Sequence, residues 1–504
     1  MKTCFFLLLL LCASALNLLA AEAKRPNILF IYADDQNTKT LACYPGAWPW
    51  VKTPNIDALA KNGVRFQAAY LGSWCMPSRA TLLTGRHPHG IESMSMEGSY
   101  PGSTYDPKQC PFIPAQMRQQ GYHTAHIGKW HTGTDSGWGR DWDHQIVWNR
   151  PLHPDNAGAY YDTQILSIDG KEQTVEGYPA DNYTQWACDY ISGKKRDAAK
   201  PWYLWLCYGS VHGPSKPAKR HKGLYKDGEV PIPADIFPPR DGKPAYLNKM
   251  QAWNKGADGH PVAGKGGEAF GEAKKALRFD AWVRQVNECV PAVDEGVGRL
   301  VALLKETGQY DNTLVIYTAD QGFSMGEHGF RSKLAPYDAN YRSPLIMSMP
   351  SRFPTDKVCA ASVNAPDLSA TFLALTGVKV PWQTHGRDLT PLLEKPETSW
   401  PHACVYEHMG NEYGAKVAQT IHTKAKQNRD QGVPLYTAIV QDKFKLIHYL
   451  DGKSGEELYD LALDPEELNN LIKDPAQKER ITSLRVALKA DLERTEAGFA
   501  DAVK

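Results

Sequence analysis

Charge of one sign is missing from this chain. Its 57 lysines and arginines stand against 56 aspartates and glutamates, a net charge of +1, so no global field exists to hold nucleic acid. An anionic ligand must be met by a local cluster instead. Long apolar runs are missing too, except at the start. There Phe5 to Leu11 continues through Leu19 behind Lys2 and ends in small residues around Ala21 and Ala23, the pattern of a secretory leader over residues 1–23. That run is short for a bilayer span and holds Ser14 and Asn17, and no later stretch is apolar enough to cross. The expected location is secreted or periplasmic. Paired cysteines are the third absence: ten are scattered without a C-x-x-C pair. This excludes a thiolate zinc site and a dense disulfide framework, and leaves room for one or two bridges. There is no internal repeat, and 504 residues exceed the size at which one core stops growing.

What is present begins with four buried-strand patterns, each ending in polar residues. Asn27 to Ala33 (NILFIYA) runs into Asp34 and Asp35, and Thr313 to Ala319 (TLVIYTA) into Asp320 and Gln321. Gly121 to His131 carries Lys129 and His131 at its end, and Pro201 to Gly209 is followed by His212. Unbroken apolar runs are expected of strands covered on both faces of a parallel sheet. The carboxyl edge of such a sheet is where ligands bind. Taken singly, Lys129 reads as a surface lysine, each histidine as a loop residue and the acids as turn formers; together at four strand ends they read as one site. Asp34, Asp35, Asp320 and the Gln321 amide offer hard oxygen ligands, suited to Ca²⁺ or Mg²⁺ rather than to a thiolate-seeking metal.

The stretch Cys75-Met76-Pro77-Ser78-Arg79-Ala80-Thr81-Leu82-Leu83-Thr84-Gly85-Arg86 organises the rest. Pro77 suits a first helical turn and Gly85 a left-handed residue past a helix end. Cys75 therefore sits at a helix N-terminus, where free N–H groups and the macrodipole favour an oxyanion. The stretch resembles the signature of the formylglycine-dependent sulfatases of the alkaline-phosphatase-like superfamily at Cys75, Pro77, Ser78, Arg79, Leu83, Thr84, Gly85 and Arg86. The segments Gly121 to His131, Ser210 to Pro214, and Asp320-Gln321 with Gly326 to Lys333 resemble the same family, bacterial carbohydrate sulfatases among them. Phe330-Arg331-Ser332 departs from it in lacking an aromatic-Asp pair.

The resemblance implies an α/β fold with a large mixed sheet flanked by helices and a smaller C-terminal antiparallel sheet. It implies that a maturation enzyme converts Cys75 to formylglycine, whose hydrated aldehyde is the nucleophile on a sulfate ester. One Ca²⁺ would lie between Asp34, Asp35, Cys75, Asp320 and Gln321. Arg79, Lys129 and Lys333 would offset charge, His131 would accept a proton and His212 would protonate the departing alcohol. A sulfated carbohydrate is the expected substrate. The alternatives are an arylsulfatase of small esters, a related phosphoester hydrolase, and an inactive sulfated-glycan-binding protein.

Elsewhere Thr53 to Gly63 reads as a capped helix, and Phe279 to Lys305 as an amphipathic helix restarted at Pro291. Thr437 to Leu450 reads as antiparallel strands and Ala476 to Ala497 as a closing helix. The expected division is a catalytic domain over 24–394 and a C-terminal subdomain over 395–504. Lys216, Lys219, Arg220, Lys222 and Lys226 lie in a long loop region that reads either as the wall of a substrate cleft or as a solvated surface. Trp48, Trp50, Trp130, Trp138, Trp142 and Trp148 are candidates for stacking on sugars.

Overall fold

A computed structural model describes residues 24–92, 94–95, 104–106, 111–264, 277–424 and 429–503. The expected leader lies outside the described residues. The chain builds a ten-stranded sheet from β1 (Asn27–Ala33), β2 (Val64–Tyr70), β3 (His123–Trp130), β4 (His144–Asn149), β5 (Gln164–Ile168), β6 (Lys171–Val175), β7 (Trp202–Cys207), β8 (Thr313–Ala319), β9 (Arg342–Ser348) and β10 (Lys357–Asn364). Their order is β10-β2-β9-β8-β1-β7-β3-β4-β5-β6. The centre is parallel: β1 pairs with β8 on one side and β7 on the other, and β7 with β3. The sheet becomes antiparallel between β8 and β9 and between β4 and β5, so the sheet is mixed.

Successive residues of a strand point to opposite faces, and β1 buries both. Ile28, Phe30 and Tyr32 enter one core with α2 (Cys75–Thr84) and α6 (Ala365–Thr376). Leu29, Ile31 and Ala33 enter the other with α1 (Pro54–Lys61), α3 (Pro179–Ile191), α4 (Phe279–Asn287) and α5 (Val290–Glu306). Each such buried side chain contributes roughly 1.5–3 kcal/mol, which is why the run from Asn27 to Ala33 carries no charge, its one hydroxyl between the ends, that of Tyr32, being bonded to Ser78. The helix expected over 279–305 is two, restarting at Val290 with Pro291 in its first turn, where its missing N–H costs nothing.

A second, antiparallel sheet holds β11 (Cys404–His408), β12 (Tyr436–Gln441), β13 (Phe444–Tyr449) and β14 (Glu456–Asp460) in that order. Val405, Ile439, Leu446 and Leu458 face α7 (Lys478–Arg494) through Leu484, Leu488 and Leu492. Their neighbours Tyr406, Ala438, Ile447 and Tyr459 face the large core. The small sheet is thus one wall of the main core. Cys43, Cys75, Cys188, Cys207, Cys289, Cys359 and Cys404 are unbridged among the described residues, and there no helix is long and apolar enough to cross a membrane.

Trp130, Trp142 and Trp148 are fully buried. They are core side chains rather than sugar platforms: Trp130 and Trp142 pack into one core and Trp148 into the other. Of the basic loop, Arg220 is bound to Asp181 and Glu295, and Lys216 to Asp162. Those charges are spent on the protein's own surface.

Candidate active site

Parallel register brings the carboxyl ends of β1, β8, β7 and β3 level, with Ala33 opposite Ala319 and Tyr32 and Gly128 opposite Cys207. Asp34, Asp35, Asp320 and Gln321 follow directly, and Asp35 takes a left-handed φ of 57°, a conformation acids tolerate. Lys129 lies within β3 rather than in a turn beyond it. Gly128, with φ of 113°, precedes it, and a Cβ there would come 2.0 Å from the Cys207 carbonyl oxygen. Only glycine lets β3 approach β7 so closely and aim Lys129 inward. Helix α2 starts at Cys75 and ends against Gly85 at φ of 71°, as expected from Pro77 and Gly85.

The predicted residues meet. Cys75 Sγ is 3.3 Å from Asp34 Oδ1 and 3.9 Å from Asp35 Oδ1. Lys333 Nζ donates to Asp35 Oδ1 at 2.6 Å and lies 3.1 Å from Cys75 Sγ. Lys129 Nζ donates to Asp34 Oδ2, and His212 Nε2 lies 3.5 Å from Asp35 Oδ2. Arg79 stands behind this layer: it donates to Asp320 Oδ2 and to the Lys129 carbonyl, both at 3.1 Å, and its guanidinium covers the Tyr32 ring. Its contacts brace the acids rather than Cys75. All these side chains are buried except at one edge, where His212 (14% exposed) and Lys333 (17%) meet solvent.

The charges explain the titrations. Burial alone would raise the Asp34 carboxyl, yet the Lys129 and Arg79 charges hold it well below the usual carboxylate range. Asp35 is raised by burial and by the Asp34 charge, against the opposition of the Lys333 ammonium. Burial and the Asp34 charge push Asp320 up to about 7, and burial with Asp320 and Asp34 pushes the Cys75 thiol up to about 12. Burial keeps His131 and His212 neutral, aided by Arg150 and Lys129 at the first and Lys333 at the second.

Three acids crowded at one point, two of them raised, are what a divalent cation relieves. Asp34, Asp35, Cys75 and His212 each present a ligand atom within 4.8 Å of one another, and Gln321 Oε1 is buried with no hydrogen-bond partner. An oxygen-rich set with one orphaned carbonyl fits Ca²⁺.

Two residues went unseen in the sequence. Arg150, buried, brings Nη1 to 3.2 Å from His131 Nδ1, and Tyr160 stacks on His212 at 4.0 Å and 4°. Both come from the irregular segment after β4, which has no periodicity or motif to announce them.

The chain is similar to known proteins over most of its length. The family described as Sulfatase matches residues 26–378, and that described as N-sulphoglucosamine sulphohydrolase, C-terminal, matches 326–495. An N-acetylglucosamine-6-O-sulfatase of Bacteroides thetaiotaomicron is 30% identical over 505 residues, 91% of this chain and 85% of that protein. An arylsulfatase of Clostridium perfringens is 25% identical over 95% of this chain and 97% of its own. A solved structure of a protein in complex with its substrate D-glucosamine-2-N,6-O-disulfate superposes with a TM-score of 0.79 at 27% identity, covering 95% of this chain and 100% of that one.

Proposed function

The chain belongs to the sulfatase family, and from that premise we propose that it is a secreted or periplasmic enzyme that removes sulfate from a sulfated carbohydrate, using formylglycine made from Cys75 and one Ca²⁺. Hydrolysis of sulfuric esters is the family's reaction; the nucleophile, the ion and the sugar are our reading. The observation that carries it is the setting of Cys75: first residue of a buried helix, 3.3 Å from Asp34 and 3.1 Å from Lys333, behind the edge where His212 and Lys333 meet solvent.

Formylglycine at position 75 would supply a hydrated-aldehyde nucleophile where the thiol itself is held protonated. Ca²⁺ held by Asp34, Asp35, Asp320 and Gln321 beside residue 75 would supply positive charge toward the sulfate oxygens. Lys129 and Lys333, each fixed by a carboxylate, add charge to the same oxygens. Arg79 keeps Asp320 in place. His131, neutral beside Arg150, is a proton acceptor. His212 is at the open edge, where the alcohol departs. Lys333 helps hold it neutral, so the anionic ester that offsets that lysine also favours the proton His212 gives up.

The carbohydrate reading is supported by the N-acetylglucosamine-6-O-sulfatase relative and by the glucosamine disulfate in the related structure. The test is sulfate release from a panel of sulfated amino sugars, polysaccharides and an aryl sulfate, with protein co-expressed with a maturation enzyme. Release from one sugar class, lost in Cys75→Ala, is expected. The tryptic peptide Phe66 to Arg79 should be lighter by about 18 Da when residue 75 is converted. Converted protein that releases sulfate from none of the panel would overturn the proposal.

A further inference from the structure

The segments carrying residue 75 and Lys333 are not joined by the large sheet alone. Leu334 adopts φ of 86°, a left-handed conformation that crowds the Cβ of an ordinary residue and persists only where surroundings fix it. Both of its backbone groups are fixed. Its N–H donates to the Ser73 carbonyl at 3.0 Å, and its carbonyl accepts from the Tyr436 hydroxyl at 2.6 Å. Tyr436 is fully buried at the start of β12 in the C-terminal sheet.

The partner segment is held by the same sheet. Ser73 Oγ lies 3.0 Å from His408 Nδ1 at the end of β11, and Trp74 Nε1 donates to the Gly410 carbonyl at 3.3 Å. On the other side of Lys333, the Ser332 carbonyl accepts from Asn340 at 2.9 Å. Further on, the Pro336 carbonyl accepts from the Tyr406 hydroxyl at 2.6 Å. The peptide between Lys333 and Leu334 is therefore held by Ser73 and the next one, between Leu334 and Ala335, by Tyr436; together they fix the Leu334 backbone and so where the Lys333 side chain begins.

We infer that Tyr436 is a positioning residue for the sulfatase reaction, its hydroxyl locking the left-handed Leu334 so that Lys333 meets residue 75 and the sulfate. The C-terminal sheet thereby completes an active site whose chemistry lies wholly on the large one. The inference rests on the reading that Lys333 acts on the sulfate group.

The test is a double-mutant cycle of Tyr436→Phe and Lys333→Ala, both in full-length converted enzyme, read by kcat/KM and by competitive inhibition with inorganic sulfate. Tyr436→Phe keeps the ring and its packing. It should lower kcat/KM about tenfold and weaken sulfate inhibition to match, with no further loss when added to Lys333→Ala, because the two act as one unit. Tyr449→Phe, which deletes a buried hydroxyl bonded to Glu457 on the same sheet, should lower the thermal midpoint while leaving both kinetic readouts within twofold. Folded Tyr436→Phe with kinetics within twofold of the parent, or losses that add to those of Lys333→Ala, would overturn the inference. Undiminished turnover by Lys333→Ala would overturn the reading of the site beneath it.

Discussion

At the seam between the two sheets the Lys445 ammonium is bound to Asp338 and, at 2.8 Å, to Glu467. Nearby Glu457 accepts from the hydroxyls of Tyr337 (2.8 Å), Tyr449 (2.6 Å) and Tyr459. In the active site Asp34, Asp35 and Asp320 stand against Lys129, Lys333 and Arg79 at comparable depth. Charge and burial are alike in the two clusters; closure is not. None of Asp338, Lys445, Glu457 or Glu467 has a buried side-chain polar atom without a partner, whereas the site keeps Gln321 Oε1 and Arg79 Nε unpaired and opens at His212 and Lys333. A buried charge cluster is therefore structural when its valences close on one another and a site when some point at a ligand.

Removing one charge should separate the two most sharply. Lys445→Met takes from Glu467 its ammonium partner and leaves Asp338 with Arg342 alone, at a cost of about 3–5 kcal/mol in urea unfolding. Lys333→Met, at the open edge, should cost less than that while abolishing most turnover. Equal stability losses would erase the distinction.

Ligand response is the next largest effect. Ca²⁺ at a hundredfold excess over its Kd should stabilise the protein by about 2.7 kcal/mol. Asp320→Asn should lose that shift and Lys445→Met should keep it, since only the first cluster has an oxygen left to give. A shift that survives Asp320→Asn would move the ion elsewhere.

The sequence made the site cluster legible and hid the seam. Asn27 to Ala33 and Thr313 to Ala319 declare themselves because strands buried on both faces are mostly apolar and carry no charge until their ends, and the ends then carry Asp34, Asp35, Asp320 and Gln321. Cys75 and Lys333 are read from motifs at fixed spacing. Lys445, Glu457 and Glu467 lie in strands and loops whose alternation shows only that one face is buried, not that charges on it pair across a seam with Asp338, over a hundred residues earlier. Arg150 and Tyr160 were invisible for the same reason: they are placed by tertiary approach, not by local pattern. Trp130, Trp142 and Trp148 misled because an aromatic beside a functional residue reads as a sugar platform, and only packing reveals core.

Acid offers a smaller, graded probe of the seam. His87 lies past Gly85, buried beside His89 and His385, and burial lowers it to about 4, with His89 and Arg494 opposing its proton and Glu407 and Asp491 favouring it. The unfolded chain takes up that proton near 6.5, so the folded state binds fewer protons between 6.5 and 4. Stability is then full above pH 6.5 and falls as the solution is acidified through that window, by about 2 kcal/mol at pH 5 for this residue. His87→Gln should flatten the loss between pH 7 and 5 by that amount. An unchanged slope would mean that the group titrates normally in the folded state.

The smallest effect sets the floor of the comparison, because a third set of charges lies fully at the surface. Arg220, 42% exposed at its side chain, donates to both carboxylate oxygens of Asp181 (2.7 and 2.8 Å) and to Glu295 at 2.6 Å. Water and salt screen such pairs, so Arg220→Ala should cost roughly 0.5–1 kcal/mol at low ionic strength and less at 1 M salt. Its guanidinium is already committed to two acids, so KM for a sulfated polymer should not move. A KM that rises in Arg220→Ala, and rises less as salt is added, would instead mean that the polymer competes with Asp181 and Glu295 for this arginine. The basic loop would then belong to the site, and closure of charge on charge would no longer be enough to call a cluster structural.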